Sequence, residues 1–350
     1  MRYNFIMKDL WNYLKEAQKP ILLYGMGNGA DKIISVCDRY GIEISGVFAS
    51  DGFVRKKTFH GFKVTDYNTA KENFDDMIVL VCFGSALPEV LGNIRRIASE
   101  QELYAPDVPV YGDVLFNMEY VLDNRERLEN VYNILADEQS KKVFENAVMY
   151  KLTGKIDYLF ECETPISEVY SSVLKLQNDE TYFDLGAYRG DTVAEFLSNT
   201  DGYKHIVAVE PDKKTYNKLC LATQNLKNIS NINACVGDTD GETFFDMLSS
   251  RGSSAGKGSD VISSVTIETL SRNYAPTYIK MDIEGAEIAA LAGGKQTISK
   301  HKPKMQIAAY HRSEDLIAVP QAVLKINGDY KIYLRHFPCL PCWDMSYYFV

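Results

Sequence analysis

The sequence predicts an α/β protein built from two doubly wound, Rossmann-like units joined by a helical connector. Three observations carry this. A strand followed by a glycine turn and a helix occurs twice, near residue 25 and again near residue 186. Strand and helix patterns alternate around each copy, which is the signature of a parallel sheet. Between the copies, from Asp113 to Glu180, strand signals are nearly absent. A chain of 350 residues is long for one hydrophobic core and suits this division. We read it as a first unit over 1–115, a connector over 116–178 and a second unit over 179–350.

In the first unit, residues 3–18 place Ile6, Leu10, Trp11 and Leu14 at helical spacing. Pro20 to Tyr24 reads as a buried strand, and Gly25-Met-Gly-Asn-Gly-Ala30 as a turn into a helix ending near Tyr40. Further strands are expected over Ile42–Phe48, Met77–Phe83 and Val108–Tyr111, with a helix around Leu87–Ser99. In the connector, Glu119–Leu135 and Asp137–Leu152 have helical patterns, with Asp137 as the cap of the second.

In the second unit, strands are expected at Thr181–Leu185, His205–Val209, Ile232–Val236, Tyr278–Met281, Lys304–Tyr310, Tyr330–Arg335 and Ser346–Val350. A short Pro- and Cys-rich link joins the last two, which favours an antiparallel hairpin at the sheet's end. The serine- and glycine-rich run 249–259 reads as a mobile surface loop.

Composition narrows the function classes. A balance of 38 basic against 47 acidic residues, net −9, argues against a general nucleic-acid or membrane-surface binder. Lys8 and Asp9 break the apolar run a signal peptide needs, and the longest apolar stretches are strand-sized, so no membrane span is expected. Seven scattered cysteines fit a reducing cytoplasm. Cys339-Leu-Pro-Cys342 lacks the second pair a zinc site needs and reads as packing thiols.

The chemistry concentrates at the ends of the second unit's strands. Tyr278-Ile-Lys-Met-Asp-Ile-Glu-Gly-Ala-Glu287 is an apolar strand that ends in three carboxylates around one glycine. Crowded carboxylates repel one another and resist desolvation, so a ligand site explains them better than fold stability does. Upstream, Phe183-Asp-Leu-Gly-Ala-Tyr-Arg-Gly-Asp-Thr192 follows a strand and opens a helix, and Gly186 and Gly190 permit turns other residues avoid. Glu210 ends the second strand, where a nucleoside ribose has its hydroxyls bonded, and Asp238 follows the third.

Asp184-x-Gly186-x-x-x-Gly190, Glu210-Pro211 and the 279–287 run together resemble the class I S-adenosylmethionine-dependent methyltransferases, and more narrowly the FkbM family. Tyr310-His-Arg-Ser-Glu-Asp-Leu316 and Tyr330 to His336 are similar to that family as well, so the resemblance spans about 130–350. It implies a seven-stranded sheet with a reversed last strand, S-adenosylmethionine as cofactor, and methyl transfer, usually to a hydroxyl. Asp184, Gly186 and Gly190, with Ala187, Tyr188 and Asp191 of the same turn, would then cradle the methionine part. Glu210 beside Pro211 would hold the ribose, Asp238 the adenine, and Asp282 and Glu284 the neighbourhood of the amine and reactive methyl.

An alcohol nucleophile benefits from a general base. Asp282, Glu284 and His311 are the catalytic candidates, with His336 the weaker histidine and a structural role the competing account of both histidines. Arg312 and Arg335 are candidates to steady an anionic acceptor or to pair with the acidic rim. Asp282, Glu284 and His311 also form a candidate divalent-cation set, although no metal is assigned.

Gly25-x-Gly27-x-x-Ala30 matches the dinucleotide fingerprint, with Asp51 near the end of the second strand. Gly46 to Asp51 and Gly61-Phe-Lys-Val64 resemble the nucleotide-sugar-binding Rossmann domains of sugar-modifying enzymes. The first unit is therefore expected either to hold a nucleotide-sugar or to serve dimerisation or substrate delivery. The leading expectation is O-methylation of a saccharide or glycan precursor, or another small molecule. The alternatives are an NAD-dependent oxidoreductase using the first unit and a non-catalytic nucleotide sensor.

Overall fold

The computed structural model describes residues 8–50, 52, 54, 58–245 and 260–350. The expectations placed on Ile6, on Asp51 and on the run 249–259 lie outside these residues.

Four strands build the first sheet: β1 (Ile21–Tyr24), β2 (Gly46–Phe48), β5 (Ile78–Val81) and β6 (Glu102–Tyr104). They are parallel, in the order β2-β1-β5-β6, and a small hairpin of β3 (Thr58–Phe59) and β4 (Phe62–Lys63) lies outside this sheet. Every residue of β1 and β5 is buried, as strands covered by helices on both faces require. Helices Asn28–Tyr40 and Pro88–Glu100 supply that cover, the first ending on Gly41 in the left-handed conformation.

The fourth strand is not at Val108–Tyr111. Glu102–Tyr104 takes its place beside β5 immediately after the helix. Pro106 and Pro109 explain the difference, because neither has an N–H to give to a ladder. The connector helix expected over 119–135 is likewise two helices, Met118–Asp123 and Arg125–Ile134, broken at Asn124. Asp137 does cap the next, Glu138–Thr153, by accepting from the Ser140 N–H at 2.7 Å.

The second sheet has seven strands: β7 (Thr181–Leu185), β8 (His205–Val209), β9 (Ile229–Ile232), β13 (Tyr278–Met281), β14 (Lys304–Ala308), β15 (Ile332–His336) and β16 (Met345–Phe349). Their order is β15-β16-β14-β13-β7-β8-β9, with β16 antiparallel to both its neighbours. The expected hairpin is present, and its reversed strand lies one position in from the edge. The strand expected over Ile232–Val236 is split. Ile229–Ile232 joins the large sheet, while β10 (Cys235–Val236) pairs with β12 (Asp260–Val265), which also pairs with β11 (Gly241–Phe245) in a separate three-stranded sheet.

The connector covers the open edge of β15. Leu135 bridges Ile332, Glu163 bridges His336, and the N–H groups of Ala136 and Thr164 donate to Ile332 and His336. Arg335, a candidate to steady an anionic acceptor or to pair with the acidic rim, is buried and pairs with carboxylates of the connector. Its guanidinium reaches Asp137 at 2.6 Å, Glu168 at 3.2 Å and the Ser140 hydroxyl at 2.8 Å. One apolar cluster runs from Leu22 and Val79 of the first sheet through Phe144 and Val148 of the connector to Leu334 and Phe349 of the second.

Candidate active site

Strand ends make the site. Parallel pairing of β13 with β7 sets Lys280 beside Asp184 and Met281 beside Leu185, so both strands run out at the same level. Gly186 turns the chain there with φ +92°, and a Cβ at this position would lie 2.0 Å from the Asp282 carbonyl oxygen. Only glycine lets the two strand ends approach so closely. Gly190, also at positive φ, packs instead against Leu219 and Ala222 of the helix Lys213–Thr223.

An elongated cleft of about 1340 Å³ runs along this edge. Gly186, Tyr188, Asp191, Glu210, Pro211, Asp238, Asp282 and Glu284 all line it. Asp184, Ala187, Gly190 and His311 do not; they stand behind the lining. Asp184 is wholly buried: one oxygen accepts from the Thr192 hydroxyl, the other has no hydrogen-bond partner, and the Lys280 ammonium lies 3.9 Å away. Burial raises its pKa, with Lys280 opposing.

Glu210 closes β8. One oxygen accepts from the Tyr188 N–H at 3.0 Å and the other from the Asp212 N–H at 2.9 Å. Burial outweighs both bonds and pushes its carboxyl up to about 7. Asp238 is exposed at the far end, whereas Asp240 accepts from the Thr266 N–H and the Thr269 hydroxyl and so supports the loop.

Asp282 is the meeting point of the charges. Tyr310 donates its hydroxyl to it at 2.9 Å, His311 Nε2 lies 3.3 Å away and Lys280 Nζ 3.9 Å away. Burial alone would raise its pKa, but His311, Lys280 and Tyr310 together hold it well below the carboxylate range. Behind it, His311 has no solvent exposure. Nδ1 sits 2.9 Å from Glu287, off the line of a hydrogen bond, and Nε2 lies 3.6 Å from Glu284. Burial pulls the imidazole down, yet Glu287 and Asp282 outweigh it and hold the ring charged well above its ordinary range.

His311 therefore stands behind the lining with Nε2 toward Asp282, an arrangement that agrees with the structural account of this histidine. His336 is also buried, with both nitrogens unpartnered, and burial pulls it down to about 4. The metal-like set is different from the expected one. Glu287, His311 and Asp315 each bring a ligand atom within 4.8 Å of the others. Glu287 accepts from the Ile283 N–H and Asp315 from the Arg312 N–H, so each carboxylate already holds the turn that leads into its own helix.

Lys280 and Tyr310 had no role in the sequence reading, and Glu287 only a place among the three carboxylates of the 278–287 run. Lys280 had a readable signal, a lone cation inside a fully buried strand. The roles of the other two depend on which way β14 and the helix Glu287–Ala292 face. Arg312 does line the cleft, where its Nε donates to the Gly285 carbonyl at 3.0 Å.

A family model, the methyltransferase FkbM domain, matches residues 184–327. A solved methyltransferase FkbM from Methylobacillus flagellatus superimposes with a TM-score of 0.72 and 23% identity, over 95% of this chain and 90% of that one. That is a likeness of fold across both sheets. Smaller likenesses are a precorrin-6y C5,15-methyltransferase from Geobacter metallireducens, with TM-score 0.34, 12% identity and 53% and 85% of the two chains. Another is a fibrillarin from Aeropyrum pernix in complex with natively bound S-adenosyl-L-methionine, with TM-score 0.34, 14% identity and 53% and 73%. No curated protein sequence matches the chain.

Proposed function

We propose that this chain, which carries an FkbM methyltransferase domain over residues 184–327, moves a methyl group from S-adenosylmethionine to a hydroxyl of a saccharide or glycan precursor. The observation that carries the reading is the charge arrangement along one cleft. A buried carboxyl, Glu210, ends the second strand, and the half-buried Asp282 ends the fourth, backed by the buried Lys280 and His311.

The residues fit the cofactor. Glu210 is placed to accept from ribose hydroxyls, and Asp238 lies beyond it toward the base. The Gly186 turn and the carboxylate of Asp282 suit a cationic amino-acid end, with Asp184 and its Thr192 bond supporting them from behind. When bound, S-adenosylmethionine supplies a methyl already activated by its sulfonium. The protein's own work is alignment, exclusion of water and removal of a proton.

Asp282 is the group for the proton. A depressed pKa makes it a weak base, but an alcohol oxygen becomes strongly acidic as its new bond to carbon forms. His311, Lys280 and Tyr310 keep Asp282 ionised and fixed, so His311 is a positioning residue. Neither the matched domain nor the cleft favours the NAD-dependent oxidoreductase reading. No helix among the described residues is long and apolar enough to cross a membrane. The seven cysteines are free, which supports the cytoplasm as the setting we propose.

The test uses labelled S-adenosylmethionine, a pool of saccharide acceptors, and calorimetry with S-adenosylhomocysteine. Wild type should transfer label. Glu210→Ala should weaken nucleoside binding by about tenfold or more, the worth of a hydrogen bond to a charged group. Asp282→Asn should cut turnover by roughly a hundredfold, far more than it weakens S-adenosylhomocysteine binding. Failure of S-adenosylhomocysteine to bind, or full turnover in Asp282→Asn, would refute the assignment.

A further inference from the structure

The first unit reaches into the cleft at two residues, Ala86 and Tyr111. Tyr111 belongs to the stretch 108–114, which leaves the first sheet, is not a strand, and crosses to the second unit. It is tied at both ends. From the first unit, the Lys32 ammonium donates to the carbonyls of Pro109 at 2.9 Å and Val110 at 2.5 Å. From the second, Tyr111 N–H donates to the His311 carbonyl at 2.8 Å, and the Ser313 hydroxyl donates to the Val114 carbonyl at 2.7 Å.

The backbone of Tyr111 is thus held while its side chain remains 48% exposed at the cleft wall. The Arg312 guanidinium sits 4.3 Å from the ring centroid and fixes the ring's plane. Gly285, at φ +91°, lets the Tyr111 side chain pack directly on its backbone: a Cβ there would come within 3.1 Å of the Tyr111 Cβ. A large aromatic ring held at its backbone and against Arg312, with half its surface open in the wall of a cleft, is a preorganised platform for a ligand.

We infer that the 108–114 strap is the acceptor-selecting wall of the methyl-transfer cleft, and that a pyranose ring packs its C–H face on Tyr111. This rests on the methyltransferase reading above. The flanking chemistry suits a sugar's hydroxyls, because Asp282 and Glu284 line the same cleft as acceptors, while Arg312 is already engaged by the Tyr111 ring and the Gly285 carbonyl. The glycine-turn helix Asn28–Tyr40, through Lys32, then acts on acceptor binding at a distance.

Saturation-transfer NMR with a panel of methyl pyranosides, on enzyme saturated with S-adenosylhomocysteine, tests this. At least one pyranoside should give signals with wild type and with Tyr111→Phe, and lose them with Tyr111→Ala. Lys32→Met leaves Tyr111 in place and should weaken the same pyranoside by about threefold to tenfold, the worth of an oriented aromatic contact. Calorimetry should find S-adenosylhomocysteine affinity unchanged within about twofold in every variant, which also reports an intact fold. No pyranoside signal with loaded wild type, or wild-type signals with Tyr111→Ala, would overturn the inference. Failure of wild type to bind S-adenosylhomocysteine would overturn the cofactor reading instead.

Discussion

Glu210 carries a measurable consequence of its burial. A carboxyl pushed up to about 7 is largely protonated at pH 6 and cannot then accept from two ribose hydroxyls. Affinity for S-adenosylhomocysteine should therefore rise by up to about tenfold per pH unit below 7 and level off above it. Glu210→Gln should flatten that profile in calorimetry between pH 5.5 and 8.5; an unchanged slope would place the titration elsewhere. The same shift has a stability sign. A folded pKa above the unfolded one contributes stability at low pH that is lost as pH rises from the ordinary glutamate range through about 7. His311 obeys the same rule from a different start: its contribution is complete below about 6.5 and is lost only at its much higher folded value. Asp282, Glu284 and Glu210 were readable in the sequence, because a carboxylate at the end of an apolar strand is costly unless a ligand or a helix start makes use of its charge. The inward facing of His311 was not, since a strand-end histidine can turn either to the rim or to the helix behind it.

At the scale of elements, the Arg335 clamp holds connector to sheet. Asp137 caps its own helix and also receives the guanidinium, so one carboxylate serves two elements. Asp137→Ala should cost about 3 kcal/mol, because it removes a cap and leaves a buried cation with one carboxylate fewer. Arg335→Met should cost less, since it removes the buried charge itself and keeps an apolar stem. Urea unfolding decides it, and the reverse order would mean the clamp is not electrostatic. The cap at Asp137 is a local pattern and was legible. The partner 198 residues away in sequence is not written in any local pattern. The strand expected at 108–111 differs: Pro106 and Pro109 are local signals against it, whereas the packing of Tyr111 on Arg312 and Gly285 is written in no local pattern.

For the molecule as a whole, we propose 1–115, 116–178 and 179–350 as topological units rather than independently stable ones. The apolar cluster shared by Leu22, Phe144 and Leu334 gives the first sheet no sealed core of its own on that face. Calorimetry should therefore record one cooperative transition, shifted upward as a whole by S-adenosylhomocysteine. Two transitions, only one of them moved by the nucleoside, would contradict this. The α/β class and the strand order at the site were legible because each local period is strong. The shared core was not, because it is made of contacts between faces that each unit's pattern leaves equivalent.

The position of β16 has a further consequence, for the order in which the chain assembles. β15 is hydrogen-bonded into the large sheet through β16 alone, and β16 follows it in the chain. During synthesis, β14 and β15 are therefore both complete while residues 345–349 are still to come. Two strands then wait with unpaired edges, and the connector has no fixed Arg335 to close on. The interval of greatest exposure to a neighbouring nascent chain thus falls on the β14–β15 side of the sheet, where Gln306 and Ser346 come to line the cleft, and it ends only when β16 slides in between them.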